Sequence, residues 1–166
     1  MPKYAGEFTV PRSPVDAFDF FLDPQSLVKC VPGVKQYEVK DSDHYSATLQ
    51  VGVSRIQASL TMNFEIVEKN REAGRISVRG HGAMLGSAVQ VEGNLILVEA
   101  PDDGTLVKWA GEARLGARLL GVIGAFFEPL VNDNIQSFVG AVEEAMSVLP
   151  ATDSTLGTDF SREKTN

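Results

Sequence analysis

The sequence predicts an α+β fold in which a curved, seven-stranded antiparallel sheet wraps around one long C-terminal helix. Two changes of pattern carry this prediction. Between Val34 and Leu115 apolar residues recur at every second position, as in strands that bury one face. After Leu119 they recur at steps of three and four, as in an amphipathic helix. Each element has one apolar face, so we expect the sheet and the helix to bury those faces against each other.

One strand and two short helices precede this sheet. The segment from Tyr4 to Val10 alternates between two faces and predicts the first strand. Ser13 can cap the helix that follows, with Pro14 in its first turn. An Asp-Pro pair at 23–24 repeats this start signal, and a Pro-Gly pair at 32–33 ends the second helix. The predicted element order is therefore β-α-α-β-β-β-β-β-β-α.

Six strands are expected in the central region. Clusters rich in Gly or Asp at 41–43, 70–74, 82–86 and 102–104 mark most of the turns between them. The clearest strand is Ile56 to Ile66, where every even-numbered residue is apolar and every odd-numbered one is polar. Such a strand has one dry face, which predicts a sheet that is apolar inside and wet outside.

Unusually small residues occupy part of the apolar register. They are Gly80, Gly82, Gly93, Gly111, Ala58 and Ala113. Two explanations stay open and can hold together: sharp curvature or close backbone approach, and spare volume for a ligand. A hollow here would have hydrocarbon and aromatic walls, which favour a lipid or a quinone-like molecule at about 0.8 kcal/mol per buried methylene. The candidate ligand-binding residues are Met62, Phe64, Trp109, Phe126, Phe127, Leu130, Ile135 and Phe138.

The C-terminal helix has two dissimilar halves. Its second half carries one apolar stripe, made of Val131, Ile135, Phe138, Val142, Met146 and Leu149. Its first half, Leu119 to Phe127, has no charged residue but contains Gly121 and Gly124, which weaken a helix by about 1 kcal/mol each relative to Ala. An apolar segment on a flexible backbone predicts a lid, so we name Leu119 to Phe127 the lid segment.

Composition excludes several functions. A formal net charge of -7 argues against a nucleic-acid partner and against strong attraction to anionic lipid. The start of the chain lacks the features of a secretion signal, and a single cysteine, Cys30, cannot form an internal disulfide. We therefore expect a cytoplasmic protein. Any membrane contact would be peripheral and apolar, made through the lid segment at the inner face of the cell membrane.

Catalytic candidates are few. His44 and His81 are expected to be solvated and to lack a carboxylate partner, and Cys30 is expected to be a buried structural side chain. Glu92 and Glu112 share the polar register, so they would pair inside a site only if that register faced inward. No metal spacing is found, and the glycines between residues 80 and 86 lie between strands, without the helix that a phosphate loop requires. No catalytic residue, metal or cofactor is predicted.

Several segments follow the sequence pattern of one known protein family. The most specific is the run from Leu22-Asp23-Pro24 to Cys30-Val31-Pro32-Gly33. Further matches are Gly6 to Val10, Val15, Phe18, Leu27, Val51-Gly52-Val53, Ile56, Ala58, Gly80-His-Gly82 and Gly104-Thr105 before Trp109. Together these segments resemble the carbon monoxide dehydrogenase G-subunit family, and the resemblance covers most of residues 4–149. It implies the helix-grip fold of the START-like superfamily for residues 1–149, the same order of elements as predicted above.

The resemblance also implies a function without catalysis. It is an accessory role for a molybdenum hydroxylase of the carbon monoxide dehydrogenase type, in coupling to the membrane or its quinone pool or in maturation. Two alternatives stay open: a small enzyme of the polyketide cyclase and aromatase type, which needs an acid or base in the cavity, and a filled core whose helix is an interaction surface. Residues 150–166 are polar and are expected to be a disordered tail.

Overall fold

A computed structural model describes residues 3–53 and 55–148. Within these ranges the order of elements is as follows: β1 (Lys3–Val10), α1 (Pro14–Leu22), α2 (Pro24–Val28), β2 (Val34–Val39), β3 (His44–Val53), β4 (Ile56–Asn70), β5 (Arg75–Met84), β6 (Ser87–Ala100), a 3-10 turn (Pro101–Asp103), β7 (Gly104–Leu115) and α3 (Ala117–Val148). The predicted fold class and element order are confirmed. Leu149 and the predicted tail lie outside the described residues.

One antiparallel sheet contains all seven strands, in the order β1-β7-β6-β5-β4-β3-β2. From β2 to β7 each strand pairs with the next along the chain, and β1 returns to pair with β7, with Gly6 opposite Trp109. The long helix α3 lies on the apolar face, close to β1, β3 and β6. The sheet and α3 therefore enclose the space in which a ligand could lie.

The two short helices begin where the sequence predicts. The Ser13 hydroxyl accepts a hydrogen bond from the backbone N–H of Asp16 at 3.3 Å, and Pro14 occupies the first turn of α1. The Asp23 carboxylate accepts the backbone N–H of Gln25 at 3.3 Å and starts α2. Each cap satisfies a backbone donor that the first helical turn leaves unpaired, which fixes where the helix begins.

Close packing explains two of the glycines on the inner face. A β-carbon on Gly80 would lie 2.8 Å from the Phe64 ring, and one on Gly82 would overlap the carbonyl oxygen of Thr61. Both glycines belong to β5 at its pairing with β4. Close approach of neighbouring atoms to the backbone is therefore sufficient to explain why glycine occupies these two positions.

The helix α3 is continuous over 32 residues and includes the lid segment. Pro129 lies inside it and cannot donate the usual hydrogen bond to the carbonyl of Ala125. Gly121 and Gly124 have open space around their α-carbons, so packing does not compensate their low helix propensity. The first half of α3 is thus helical, with three residues that weaken it.

Two clusters of buried side chains hold the fold together. The larger joins α1, the sheet and the end of α3, and includes Val10, Phe18, Phe21, Ile76, Val107, Val142 and Met146. The smaller joins β4, β5 and β6 to the lid segment, and consists of Ala58, Met62, Met84, Val89, Leu119 and Ile123. The stripe of α3 is buried at Val142 and Met146 but only half-buried at Val131, Ile135 and Phe138. Packing is therefore incomplete along the middle of the helix.

Candidate ligand-binding cavity

A cavity of about 680 Å³ lies between the inner face of the sheet and the middle of α3. Side chains from both buried clusters border it, among them Ile76 and Ile123. The connection from α2 to β2 contributes Val31 and Pro32. Most of the lining is apolar, and the volume falls in the range of small-molecule sites, roughly 300–1,000 Å³.

Five of the eight candidate ligand-binding residues line this cavity. They are Trp109 on β7 and Phe127, Leu130, Ile135 and Phe138 on α3. The four helix residues follow steps of three and five, so they stay on the side of α3 that faces the sheet. Their contact with a ligand stays a prediction, but the fold brings them together around one space.

The other three candidates lie elsewhere. Met62 belongs to the smaller core cluster and is 3% exposed. Phe64 stacks on Tyr45 with 5.2 Å between the ring centroids. Phe126 is 47% exposed, because neighbouring residues of a helix point about 100° apart and Phe127 takes the inward direction.

Several lining residues were not among the candidates. Phe8, Val91 and Leu95 contribute apolar side chains, and Asn134 and Gln50 contribute polar groups. The alternation of apolar residues along β6 was the available signal for Val91 and Leu95. Nothing in the sequence distinguished Asn134 from an exposed helix residue.

Gly93 and Gly111 have a different environment from Gly80 and Gly82. They lie directly opposite each other on β6 and β7, and both line the cavity. A β-carbon on Gly93 would meet no atom closer than the carbonyl oxygen of Ala110, at 3.9 Å. The explanation by spare volume therefore fits Gly93, just as the explanation by close approach fits Gly80.

One unpaired polar atom belongs to the cavity lining. The Tyr4 hydroxyl is buried and has no hydrogen-bond partner among the residues that the structure describes. Burial, and then the nearby carboxylate of Glu128, raise the pKa of Tyr4 above its ordinary value. The phenol therefore stays protonated near neutral pH and is a hydrogen-bond donor.

The two carboxylates singled out in the sequence form a cross-strand pair. Glu92 lies opposite Glu112, and both residues border the cavity beside the two glycines that face each other on β6 and β7. The Glu92 carboxylate approaches Arg79 at 4.0 Å, and the Glu112 carboxylate approaches Lys3 at 3.8 Å, both on the polar face of the sheet. The register of β6 and β7 places the two carboxylates on that face, away from the cavity.

The remaining reactive side chains lie away from the cavity. His81 is exposed, and Cys30 is buried, where its thiol donates to the Ser26 carbonyl at 3.6 Å and burial raises its pKa. The expectation that His44 lacks a carboxylate partner is wrong, since its Nδ1 lies 2.8 Å from Asp41 Oδ1. In the described part of the chain, no group of three or more His, Cys, Asp or Glu could hold a metal ion.

Comparison with solved structures identifies the fold. A conserved protein from Geobacillus kaustophilus has a TM-score of 0.77 and 18% identity, covering 88% of this chain and 95% of its own. The Zhui aromatase/cyclase from Streptomyces sp. R1128 has a TM-score of 0.65 and 12% identity, covering 88% and 93%. A START superfamily protein from Mycobacterium smegmatis has a TM-score of 0.62 and 12% identity, covering 87% and 97%. The fold is that of the START and polyketide cyclase superfamily.

The family follows from the sequence. The sequence model of CoxG, the G subunit of carbon monoxide dehydrogenase, matches residues 6–147, so the chain belongs to that family. This confirms the resemblance found in the sequence. No curated protein matches the chain. None of the helices in the described residues combines the length and the hydrophobicity that a bilayer-spanning helix needs.

Proposed function

We propose that this chain is a non-catalytic accessory protein that holds a lipid or a quinone-like molecule for a molybdenum hydroxylase of the carbon monoxide dehydrogenase type. The observation that carries the proposal is the apolar cavity of about 680 Å³ between the sheet and α3. Membership of the CoxG family supports an accessory role that includes ligand binding.

The chemistry of the walls supports the class of ligand. Leucine, isoleucine, valine and aromatic side chains make up most of the lining. Transfer of hydrocarbon from water to such walls is favourable by about 0.8 kcal/mol per methylene. A soluble polar metabolite would leave most of its hydrogen bonds unmade against such walls, at a cost of roughly 1–3 kcal/mol for each group.

The exposed apolar side chains of the lid segment support exchange of that ligand at a membrane. Leu120, Val122 and Phe126 are each nearly half exposed and lie between the charged residues Arg118 and Glu128. Exposed apolar side chains of a helix can enter the interface of a bilayer. In this proposal the protein is cytoplasmic and visits the inner face of the cell membrane, where the lid segment makes the contact.

A cyclase-type enzyme is supported less well. Such an enzyme needs an acid or a base that faces the cavity, and the Glu92 and Glu112 carboxylates are paired on the other face of the sheet. Tyr4 lines the cavity, but its raised pKa makes the phenol a weak acid and leaves no phenolate to act as a base near neutral pH. The accessory function needs neither group to react.

The test is to identify the bound molecule and the bound protein. The full chain is isolated from its native cell without detergent, extracted with organic solvent and analysed by mass spectrometry, together with Ala113→Phe. This variant enlarges a side chain that lines the cavity. We expect a lipid or quinone in the wild-type extract, little in the variant extract, and hydroxylase subunits captured with both proteins. Equal amounts of lipid or quinone in the two extracts would contradict the proposal that the cavity holds this ligand. The absence of hydroxylase subunits among the captured proteins would contradict the proposed partner.

A further inference from the structure

The sheet has a gap in its layer of inward side chains. Tyr4 pairs with Gly111, Gly111 with Gly93, and Gly93 with Val78, which gives one row across four neighbouring strands. All four residues line the cavity. The two middle residues have no side chain, so the cavity extends there to the backbone of β6 and β7. We name this feature the glycine recess.

Neither backbone conformation nor packing requires glycine at position 93. Positive φ angles among the described glycines occur at Gly33, Gly74 and Gly86, not in the recess. A β-carbon on Gly93 would have its nearest contact at 3.9 Å, and one on Gly111 would lie 3.3 Å from the carbonyl oxygen of Glu92. Glycine at position 93 therefore enlarges the cavity by the volume that a side chain would occupy.

The shape of the recess suits a flat group. Neighbouring strands are about 4.8 Å apart, so two adjacent glycines expose a strip of backbone about as wide as a six-membered ring. Trp109 and Leu95 form the next row of the sheet on one side, and Ala113 and Val91 form it on the other. A flexible alkyl chain gains little from such a strip, whereas a ring can lie on the backbone and contact the indole of Trp109.

The polar surroundings favour a neutral acceptor. Tyr4 stands at the end of the recess, and its hydroxyl lacks a partner among the described residues. The carboxylate of Glu128 lies near enough to act on the Tyr4 phenol, and those of Glu92 and Glu112 lie across the sheet. Glu92 and Glu112 are ion-paired on the polar face, so Glu128 is the charge that disfavours an anionic headgroup beside Tyr4. A carbonyl oxygen can accept the hydrogen bond that Tyr4 leaves unmade.

We propose that the glycine recess holds a neutral, carbonyl-bearing ring of the ligand, and that the Tyr4 hydroxyl donates a hydrogen bond to that carbonyl. This inference rests on the proposed function, because it assigns a position to one end of the ligand. It makes Gly93 and Tyr4 determinants of specificity: Gly93 admits the ring, and Tyr4 recognises its oxygen. The alkyl part of the ligand then extends along the apolar wall towards Leu130 and Phe138.

The experiment compares two probes that both quench tryptophan fluorescence. Decylubiquinone carries a carbonyl-bearing ring, and 1-bromodecane carries neither ring nor carbonyl. Trp109 is the single tryptophan of the chain and lines the cavity, so quenching of its fluorescence measures the binding of either probe. The variants are Gly93→Val, which fills the recess, and Tyr4→Phe, which removes only the hydroxyl. Their matched controls are Ala88→Val, on the exposed face of β6, and Tyr37→Phe, on β2.

We expect Gly93→Val to weaken decylubiquinone binding by about tenfold or more and Tyr4→Phe by about fivefold, the effect of one lost hydrogen bond. Binding of 1-bromodecane to both variants, and of both probes to the controls, should stay within about twofold. If wild-type protein binds both probes and the variants retain decylubiquinone binding, or lose both probes equally, the recess is not a ring site. If wild-type protein binds neither probe, the proposed function itself fails.

Discussion

The indole of Trp109 lies directly over Gly6. A β-carbon at position 6 would come within 2.8 Å of Trp109 Cζ2, closer than real β-carbons approach other atoms. The two residues are paired across β1 and β7. Gly6 therefore allows the largest side chain of the cavity wall to lie against the sheet.

Gly6→Ala should displace Trp109 into the cavity. The new methyl group cannot move, because β1 pairs with β7 along its whole length, so the indole must shift. We expect a changed tryptophan emission maximum and about a fivefold or greater loss of decylubiquinone affinity. Ala5→Val, on the exposed neighbouring position, is the control. Unchanged emission in Gly6→Ala would show that Trp109 does not rest on Gly6.

Phe126 and Phe127 provide a matched pair on the lid segment. Phe127 lines the cavity and Phe126 is 47% exposed, so the same substitution tests two faces of one helix. Phe127→Asp places a carboxylate in an apolar wall and should reduce uptake of 1-bromodecane by at least about tenfold. Phe126→Asp should leave uptake within about twofold but weaken binding to vesicles of phosphatidylcholine and phosphatidylglycerol.

Trp109 quenching measures uptake, and sedimentation with vesicles measures membrane binding. Circular dichroism on both variants provides the control for folding. If Phe126→Asp abolished uptake and Phe127→Asp did not, the assigned directions of the two rings would be reversed.

The alternation of residues explains how much of the fold was predictable. Most central strands have one wet and one dry face, so their periodicity appears in the sequence, as in Ile56 to Ile66. The edge strand β2 is the exception, with five of its six residues exposed. The register of β4 shifts between Ile66 and Glu68, where a bulge interrupts the pairing. A bulge breaks the alternation, and for this reason the sequence underestimated the length of β4, which continues to Asn70.

The site was less predictable because apolarity does not specify direction. In the lid segment nearly every residue is apolar or small, so the sequence could not show that Phe127 points inward and Phe126 outward. On β4, Met62 and Phe64 belong to the apolar face, but both pack against other side chains rather than border the cavity. Gly93 and Gly80 look alike in the sequence, and only their neighbours across the sheet distinguish them.

Arg71 connects the β4–β5 turn to α1. Its guanidinium lies 4.6 Å from the centroid of the Phe18 ring, and its Nη2 lies 2.9 Å from Asp19 Oδ1. We expect Arg71→Ala to lower the free energy of unfolding by about 1 kcal/mol, because it removes a cation–π contact and a surface ion pair. Arg79→Ala, which loses only a long ion pair with Glu92, should change it by less than about 0.5 kcal/mol. Urea denaturation measures the free energy of unfolding of both variants. An equal loss in Arg71→Ala and Arg79→Ala would count against a stabilising contact with Phe18.

His44 and Asp41 should make stability depend on pH. The hydrogen bond that His44 Nδ1 donates to the Asp41 carboxylate raises the pKa of His44 above 6.5. The same bond, with the one that the Asp43 N–H donates, lowers the pKa of Asp41 below 3.8. The stabilisation from His44 is complete below pH 6.5 and disappears as the pH rises through its raised pKa. That from Asp41 is complete above pH 3.8 and disappears as the pH falls through its lowered pKa.

The pair therefore stabilises the protein most between these limits. Unfolding by urea should require more denaturant at about pH 6 than at about pH 8, and His44→Gln should reduce this difference. His81→Gln, which replaces an exposed histidine away from this pair, is the control. A difference that persists in His44→Gln would assign the pH dependence to another group.

The sheet and α3 enclose an apolar space that should take up a lipophilic molecule, and this is the central claim. Titration of the wild-type chain with decylubiquinone, followed by the fluorescence of Trp109, tests it most directly. We expect saturable quenching with one site per chain, and complete reversal by an excess of lipid vesicles that extract the probe. Quenching that rises without saturation, as for free N-acetyltryptophanamide in solution, would contradict the claim.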